Sequence, residues 1–506
     1  MAQRALHDAV ETVAHDSYKG TVLQGSFYAG LSQGVTVGCQ IASVLIMSRL
    51  LMPADFGRIA MIGPVVAFLS MFKEMGLLQA VIQKKSLTYG QLNSLFWINI
   101  GVSAVLTIFL ILMAPLIAQF YNEPDLIWLI RAMAVGMMLT AIGAQHFALL
   151  NRRMMFGRIA INSGMVALAT LVTSILWALV SPSPWALVAG TLVGGIVGSV
   201  MVWVWVAWRP SRPGLAPGTA DLLGFGAGIT GFKLANFLSR NLDSILIGRV
   251  WGSAALGFYD RAYKLILFPL NRVAQPLSQV MVPVLSRMQD EPERYARAFF
   301  RVFGLMQLAI LPGVAAMTGM AETAVPFLLG AQWADSAPIF AALGIAALAQ
   351  PLANPTGWLF VSQGRTTEMA FWGLASAVVT CGAFLWGVQY GVREVAVAYA
   401  AVTVLKLFPL WALVSRKGPI GRDSLSKHIL PVFCAGLAAY AVVWGSHLAL
   451  PDTASLKLLM GATLSYLVFV VVLTFSSYGR EILVEVKQLL IQATRTLRRP
   501  RSGKHA

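Results

Sequence analysis

Apolar residues in this chain run in long blocks, and polar residues gather in short strips between them. A helix needs about 20 residues to cross the hydrocarbon core of a bilayer. Fourteen blocks reach that length: 22–48, 58–82, 92–118, 127–150, 158–180, 185–208, 222–248, 256–285, 299–321, 336–361, 368–390, 395–414, 427–449 and 457–476. A membrane barrel would instead alternate apolar and polar positions over segments of about ten residues, and no such alternation is present. The pattern predicts an all-α polytopic membrane protein of about fourteen transmembrane helices. No strip between blocks is long enough for a folded soluble domain, so function is expected inside the helix bundle or at its rims.

The pattern also repeats. SRLLMPADFG (48–57) closes the first span and GRVWGSAALG (248–257) closes the seventh, with Arg49, Ala54 and Gly57 aligned to Arg249, Ala254 and Gly257. Six spans separate the two, so both copies cross in the same direction, as in parallel transporter repeats. A weaker echo, APLIAQFY (114–121) against VPFLLGAQW (325–333), precedes the fourth and tenth spans.

Composition fixes the solvent. The 506 residues are 57% hydrophobic and 12% charged, against about a quarter charged in soluble chains. The net charge of +17 would suggest nucleic acid in a soluble protein. Here most cations sit in the short strips. With the N-terminus inside, cytoplasmic strips and the tail hold twenty-five Lys and Arg, and outer strips hold five: Arg49, Arg58, Arg249, Arg393 and Lys457. The positive-inside rule then predicts a multi-pass membrane protein with both termini cytoplasmic and no nucleic-acid partner. Residues 1–21 read as a cytoplasmic or interfacial segment. Cys39, Cys381 and Cys434 lie in apolar runs with neither disulfide nor zinc spacing, so no metal and no cofactor are expected.

Eight cations remain within spans: Lys73, Arg131, Lys233, Arg240, Arg261, Lys264, Arg272 and Lys406. Each costs roughly 2.5–3.5 kcal/mol at the bilayer centre and needs a wet cavity or a partner. In the seventh span Lys233, Asn236, Arg240 and Asp243 follow a helical 3, 4, 3 rhythm; in the eighth Asp260, Lys264, Asn271, Gln275 and Gln279 follow a similar one, with Arg261 and Arg272 one step aside. Five cations against two carboxylates leave a positive excess, so an anionic ligand is expected. The competing reading is interhelical ion pairing with snorkelling ends. Substrate-binding candidates are Lys73, Lys233, Asn236, Arg240, Lys264, Asn271, Arg272 and Gln275. Glu74, Asp243 and Asp260 are candidates for ion coupling or ion pairing. Arg131 is expected to snorkel and His146 to pack.

Other motifs lead nowhere. GAGITG (226–231) matches a dinucleotide-binding fingerprint but follows no strand. The ladders Gly30, Gly34, Gly38 and Gly190, Gly194, Gly198 predict close helix packing. Pro64, Pro269 and Pro276 interrupt apolar spans, as in helices that line a cavity.

SRLLMPADFGRIAM, MFKEMGLLQAVIQKK, NSLFWIN (93–99), FYNEPDL (120–126), GRVWGSAALGFYDRAYKL and LLGAQW (328–333) together resemble the Wzx-type polysaccharide flippases, nearest the colanic-acid exporter group of the multidrug/oligosaccharidyl-lipid/polysaccharide exporter superfamily. The resemblance implies two pseudo-symmetric six-helix lobes around a central cavity lined by spans 1, 2, 7 and 8, with two further helices. The corresponding boundaries are 22–215 and 216–420 for the lobes, 421–478 for the last two spans and 479–506 for a basic tail. It implies a non-enzyme that flips an undecaprenyl-pyrophosphate-linked oligosaccharide by alternating access for exopolysaccharide or lipopolysaccharide synthesis. Its implied partners are that glycolipid, membrane lipids and the polysaccharide polymerase and export machinery. Coupling to Na⁺, H⁺ or neither is left open. Two alternatives stand beside it. A multidrug antiporter of the same superfamily would favour carboxylates over cations, and a glycan polymerase or ligase would need a large outer loop.

Overall fold

The computed structural model describes residues 18–74, 87–217, 219–446, 449–451 and 453–498. All regular structure among them is helical. Among the described residues, eleven helices are long and apolar enough to cross a membrane. They correspond to the second to sixth and ninth to fourteenth expected spans. The first, seventh and eighth fall on two further long helices, Tyr18–Leu50 and Thr219–Ser286. Close contacts divide the chain into two compact units, Met1–Gly257 and Phe258–Ala506.

The first unit holds α1 (Tyr18–Leu50), α2 (Pro53–Glu74), α3 (Tyr89–Tyr121), α4 (Leu126–Arg152), α5 (Phe156–Val180), α6 (Trp185–Trp205) and the first arm of α7 (Thr219–Ser286). Its helix ends are written in the sequence. Pro53 opens α2, where its missing N–H is no loss, and Asp55 accepts the Met52 N–H at 3.0 Å. Thr88 and Gln91 cap α3 reciprocally, with Gln91 N donating to Thr88 Oγ1 at 3.2 Å and Thr88 N to Gln91 Oε1 at 3.3 Å. α3 ends on Asn122 in the left-handed region, φ 57°, a conformation asparagine tolerates.

α5 lies along α6 because Gly190, Gly194 and Gly198 leave room. A Cβ at these positions would press into Ser174, Thr170 and Val166. The α1 ladder behaves differently: nothing lies within 4 Å of a Cβ at Gly34 or Gly38. Those two glycines do not serve close packing, and Gly30 lies outside the described side chains. Helix α2 continues through Pro64 and α7 through Pro269 and Pro276; the non-helical point in α7 is Gly252, at φ 81°. The expected interruptions at these prolines are therefore not breaks in the backbone.

A strap of irregular chain, Val206–Pro217, runs from α6 to α7, and NSLFWIN with the residues before it holds the strap down. Tyr89 Oη donates to Arg209 O (2.6 Å), Asn93 Nδ2 to Arg212 O (2.9 Å) and Trp97 Nε1 to Ser211 O (2.8 Å). Ser211 N donates to Asn93 Oδ1, and Ala216 N to Ser94 Oγ, both at 2.8 Å. Gln91 Nε2 donates to Pro217 O at 3.1 Å. Such side chains supply partners to a backbone that no helix satisfies. Beneath the strap, Leu95, Phe96, Leu149, Val202 and Trp208 form one buried cluster. His146, fully buried, stacks on Trp203 at 4.3 Å and meets Trp208 O at 3.1 Å. It packs, as expected.

The second unit contains the second arm of α7, α8 (Pro292–Gly319), α9 (Ala321–Leu329), α10 (Ser336–Ala353), α11 (Thr356–Ser362), α12 (Thr366–Gly387), α13 (Val392–Val414), α14 (Leu430–Ser446), α15 (Ala454–Thr474) and α16 (Ser477–Arg498). α8 is its axis and touches α10, α14, α15 and α16. Phe299 and Phe303 of α8 pack with Trp358 and Trp411. LLGAQW turns at Gly330 (φ 111°) and buries Trp333, which meets Phe258 edge-on at 6.0 Å. The basic tail begins as helix α16. Tyr478 Oη donates to Phe300 O at 2.6 Å and its burial holds the phenol above its usual pKa. Arg301 pairs with Glu485.

Candidate functional site

The two copies of the repeated corner lie against each other within the first unit. A Cβ on Gly57 would overlap the Ser253 carbonyl, and a Cβ on Gly257 would overlap the Pro53 carbonyl. The contact is reciprocal: each glycine sits over the carbonyl four residues before its counterpart. Only glycine allows backbones this close, and this explains the repeated glycine.

FYNEPDL ties the crossing together. Arg58 reaches Glu123 at 3.3 Å, Asp125 at 3.4 Å and Asp55 at 3.7 Å. Ser253 Oγ donates to Glu123 Oε1 at 2.5 Å, so one carboxylate joins both corners. Asn122, with its amide oxygen turned to Arg249, accepts from Nη1 at 3.0 Å. The Arg249 guanidinium lies over Phe120 at 5.8 Å, and Tyr121 lies against Gly248. Three of the stretches that carried the family resemblance thus form one polar knot at the corner end of the helices.

The intramembrane charges are placed as follows. Lys73, Glu74, Lys233, Asn236 and Asn271 lie on helical backbone, and their side chains lie outside the described residues. In the first unit Arg240 is exposed and Asp243 is buried; Asp243 Oδ1 accepts from Ser244 N at 2.8 Å. In the second unit Lys264 pairs with Asp260 at 2.8 Å, one turn apart. Arg272 is half-buried and Gln275 exposed. Lys264 therefore has its own counter-charge, although its side chain is still 59% exposed. Arg131 lies over the exposed Trp128 ring at 4.8 Å.

Lys406 is a cation within an apolar span with no polar stripe around it in the sequence. In the fold its Nζ donates to Thr380 Oγ1 at 2.7 Å and Ser376 Oγ at 2.9 Å. Among the described residues no carboxylate pairs with it. Two turns earlier on α13, Tyr399 meets Tyr263 of α7 at 6.4 Å. Lys406 is thus a charge solvated by hydroxyls of α12, on the face of α13 that meets α12.

A second polar feature was not visible in the sequence. Asn99, Gln145 and Asn162 stand singly on three apolar spans, yet they line one cavity of about 340 Å³ with Thr140 and Ser199. Spacing along any one span carries no sign of it.

Residues 46–338 match the family described as polysaccharide biosynthesis protein. Lipopolysaccharide biosynthesis protein WzxC of Escherichia coli (strain K12) is 23% identical over 355 residues, 69% of this chain and 71% of that one. Teichuronic acid biosynthesis protein TuaB of Bacillus subtilis (strain 168) is 24% identical over 437 residues, 83% of this chain and 89% of that one. Among solved structures, lipid II flippase MurJ in an inward closed conformation matches with TM-score 0.71 at 14% identity, covering 91% of this chain and all of that one. An inward-facing multidrug resistance MATE family transporter of the MOP superfamily matches with TM-score 0.59 at 13% identity, over 76% and 95%. At these identities the structural likenesses speak for the fold.

Proposed function

Because this chain belongs to the polysaccharide biosynthesis protein family, we propose that it moves a polyprenyl-pyrophosphate-linked oligosaccharide across the bacterial inner membrane by alternating access. The family match carries this reading. It spans both repeated corners, the strap and LLGAQW, the elements that organise each unit. The cations add chemistry: a pyrophosphate offers acceptor oxygens only, and Arg240, Arg272, Lys264 and Lys406 offer donors. The polyprenyl tail remains in lipid. The chain acts as a carrier rather than an enzyme, with lobes over 22–215 and 216–420, spans thirteen and fourteen over 421–478 and both termini cytoplasmic. Its partners are the glycolipid and the polymerase and export machinery that receive it. The coupling candidates are Glu74, Asp243 and Asp260, of which Asp260 holds Lys264.

The likeness to a multidrug transporter supports a second reading of the same fold, against which the basic excess counts. Export of lipid-linked glycan and efflux of cationic drugs, measured in one deletion strain, separate the two. Arg240→Gln and Arg272→Gln are expected to abolish glycan export with the protein still inserted. The corresponding Lys variants should keep part of it, since charge survives and the bidentate fork is lost. Full export on neutralising an arginine together with its aspartate, Asp243 or Asp260, would show ion pairing instead of substrate binding.

A further inference from the structure

The cavity among α3, α4, α5 and α6 differs in chemistry from the cationic positions. Its polar lining is uncharged: two asparagines, one glutamine and two hydroxyls. Asn99, Gln145 and Asn162 are 6%, 4% and 7% exposed. Some of their bonds hold the walls. Asn99 Nδ2 donates to Ala141 O at 3.0 Å and Ser199 Oγ to Leu139 O at 2.9 Å. Two others are missing: Gln145 Nε2 and Asn162 Oδ1 have no partner. Buried polar groups are nearly always paired, so a donor and an acceptor left over at one cavity call for a ligand. A hydroxyl answers both, since it accepts one hydrogen bond and donates another. Phosphate supplies acceptors alone, and an ammonium donors alone. Phe147 lines the same space and offers an apolar ring face. The volume lies at the lower end of the range for small-molecule sites, about 300–1,000 Å³.

Position agrees with a role in loading. Asn99 and Asn162 lie near the starts of α3 and α5, and Gln145 and Gly198 near the ends of α4 and α6. At 1.5 Å per residue all four sit within roughly 9–15 Å of the helix ends that carry the strap. Gly194 and Gly198 bring no side chain into the space.

We propose that this cavity is a subsite for an uncharged, hydroxyl-rich sugar of the cargo, held by Asn99, Gln145 and Asn162. The inference rests on the flippase reading above. The pyrophosphate is bound by the cationic side chains and the sugar by the amides.

The experiment uses the full chain in lipid nanodiscs and two probes. One is undecaprenyl pyrophosphate; the other is the lipid-linked repeat unit extracted from a strain lacking this transporter. Wild type should bind the glycolipid at least tenfold more tightly. Gln145→Leu with Asn162→Leu should erase that advantage and leave undecaprenyl pyrophosphate affinity within twofold. If the leucine pair fails to fold, Gln145→Met alone should cut the advantage at least threefold. An unchanged advantage overturns the proposal and leaves a cavity holding only water. An equal loss for both probes also overturns it, as a structural effect. Wild type that binds neither probe removes the flippase reading itself.

Discussion

Glu123 is the residue on which the corner knot turns. It holds Arg58 through one oxygen and Ser253 through the other, with a side chain 19% exposed. Losing one partner of such a pair leaves the other poorly satisfied, and partial exposure softens the cost. Arg58→Gln is expected to destabilise the purified protein by about 1–2 kcal/mol, read by thermal unfolding in detergent. Arg58→Gln with Glu123→Gln should recover part of that, and no recovery would mean that the two side chains act separately. Arg131→Gln removes a contact with one exposed ring and should leave both abundance and export close to wild type. The sequence marked Arg58 as a charge on the outer side. It could not mark Glu123 as its partner, because the bond joins residues sixty-five positions apart. Gln145 and Asn162 were illegible for the same reason: each is an isolated polar residue in an apolar span until three helices bring them together.

Helices were legible because burial in lipid demands long apolar runs, and eleven of the expected spans meet that requirement among the described residues. Caps are local too: Thr88 with Gln91 and Pro53 with Asp55 act over a few residues. The glycine ladders show where local reading stops. Two share one spacing, yet Gly190, Gly194 and Gly198 meet α5 while Gly34 and Gly38 meet open space. Spacing tells which residues share a face, and only the neighbour decides its use. Substitution should separate them. Gly34→Ala is expected to be neutral or to stabilise by up to about 1 kcal/mol, since alanine loses less backbone freedom in a helix. Gly57→Ala forces a Cβ into the Ser253 carbonyl and should cost about 1–3 kcal/mol, as overpacking does. Melting curves of the two variants in the same detergent decide the matter, and equal shifts would show that the crossing opens freely.

For the molecule as a whole, the distribution of basic residues predicts that a reporter joined after Ala506 is active only if it functions in the cytoplasm. It also bears on the driving force. Carrying two negative charges outward is downhill in an interior-negative potential of about 100 mV and gains roughly 5 kcal/mol, less whatever protein charge moves the other way. Transport in vesicles is therefore expected to quicken with imposed potential. Rates that ignore potential and follow a Na⁺ or pH gradient would place the coupling on a carboxylate such as Asp243. The strap over Val206–Pro217 carries a different consequence, one of timing during synthesis. Every hydrogen bond described between it and α3 uses residues no later than Pro217. The glycine crossing, by contrast, waits for Gly257. At 5–20 residues per second, the nearly three hundred residues after the strap occupy a ribosome for roughly 15–60 s. The first six helices can close the end that carries the strap during that interval, while the second half of the chain is still being made.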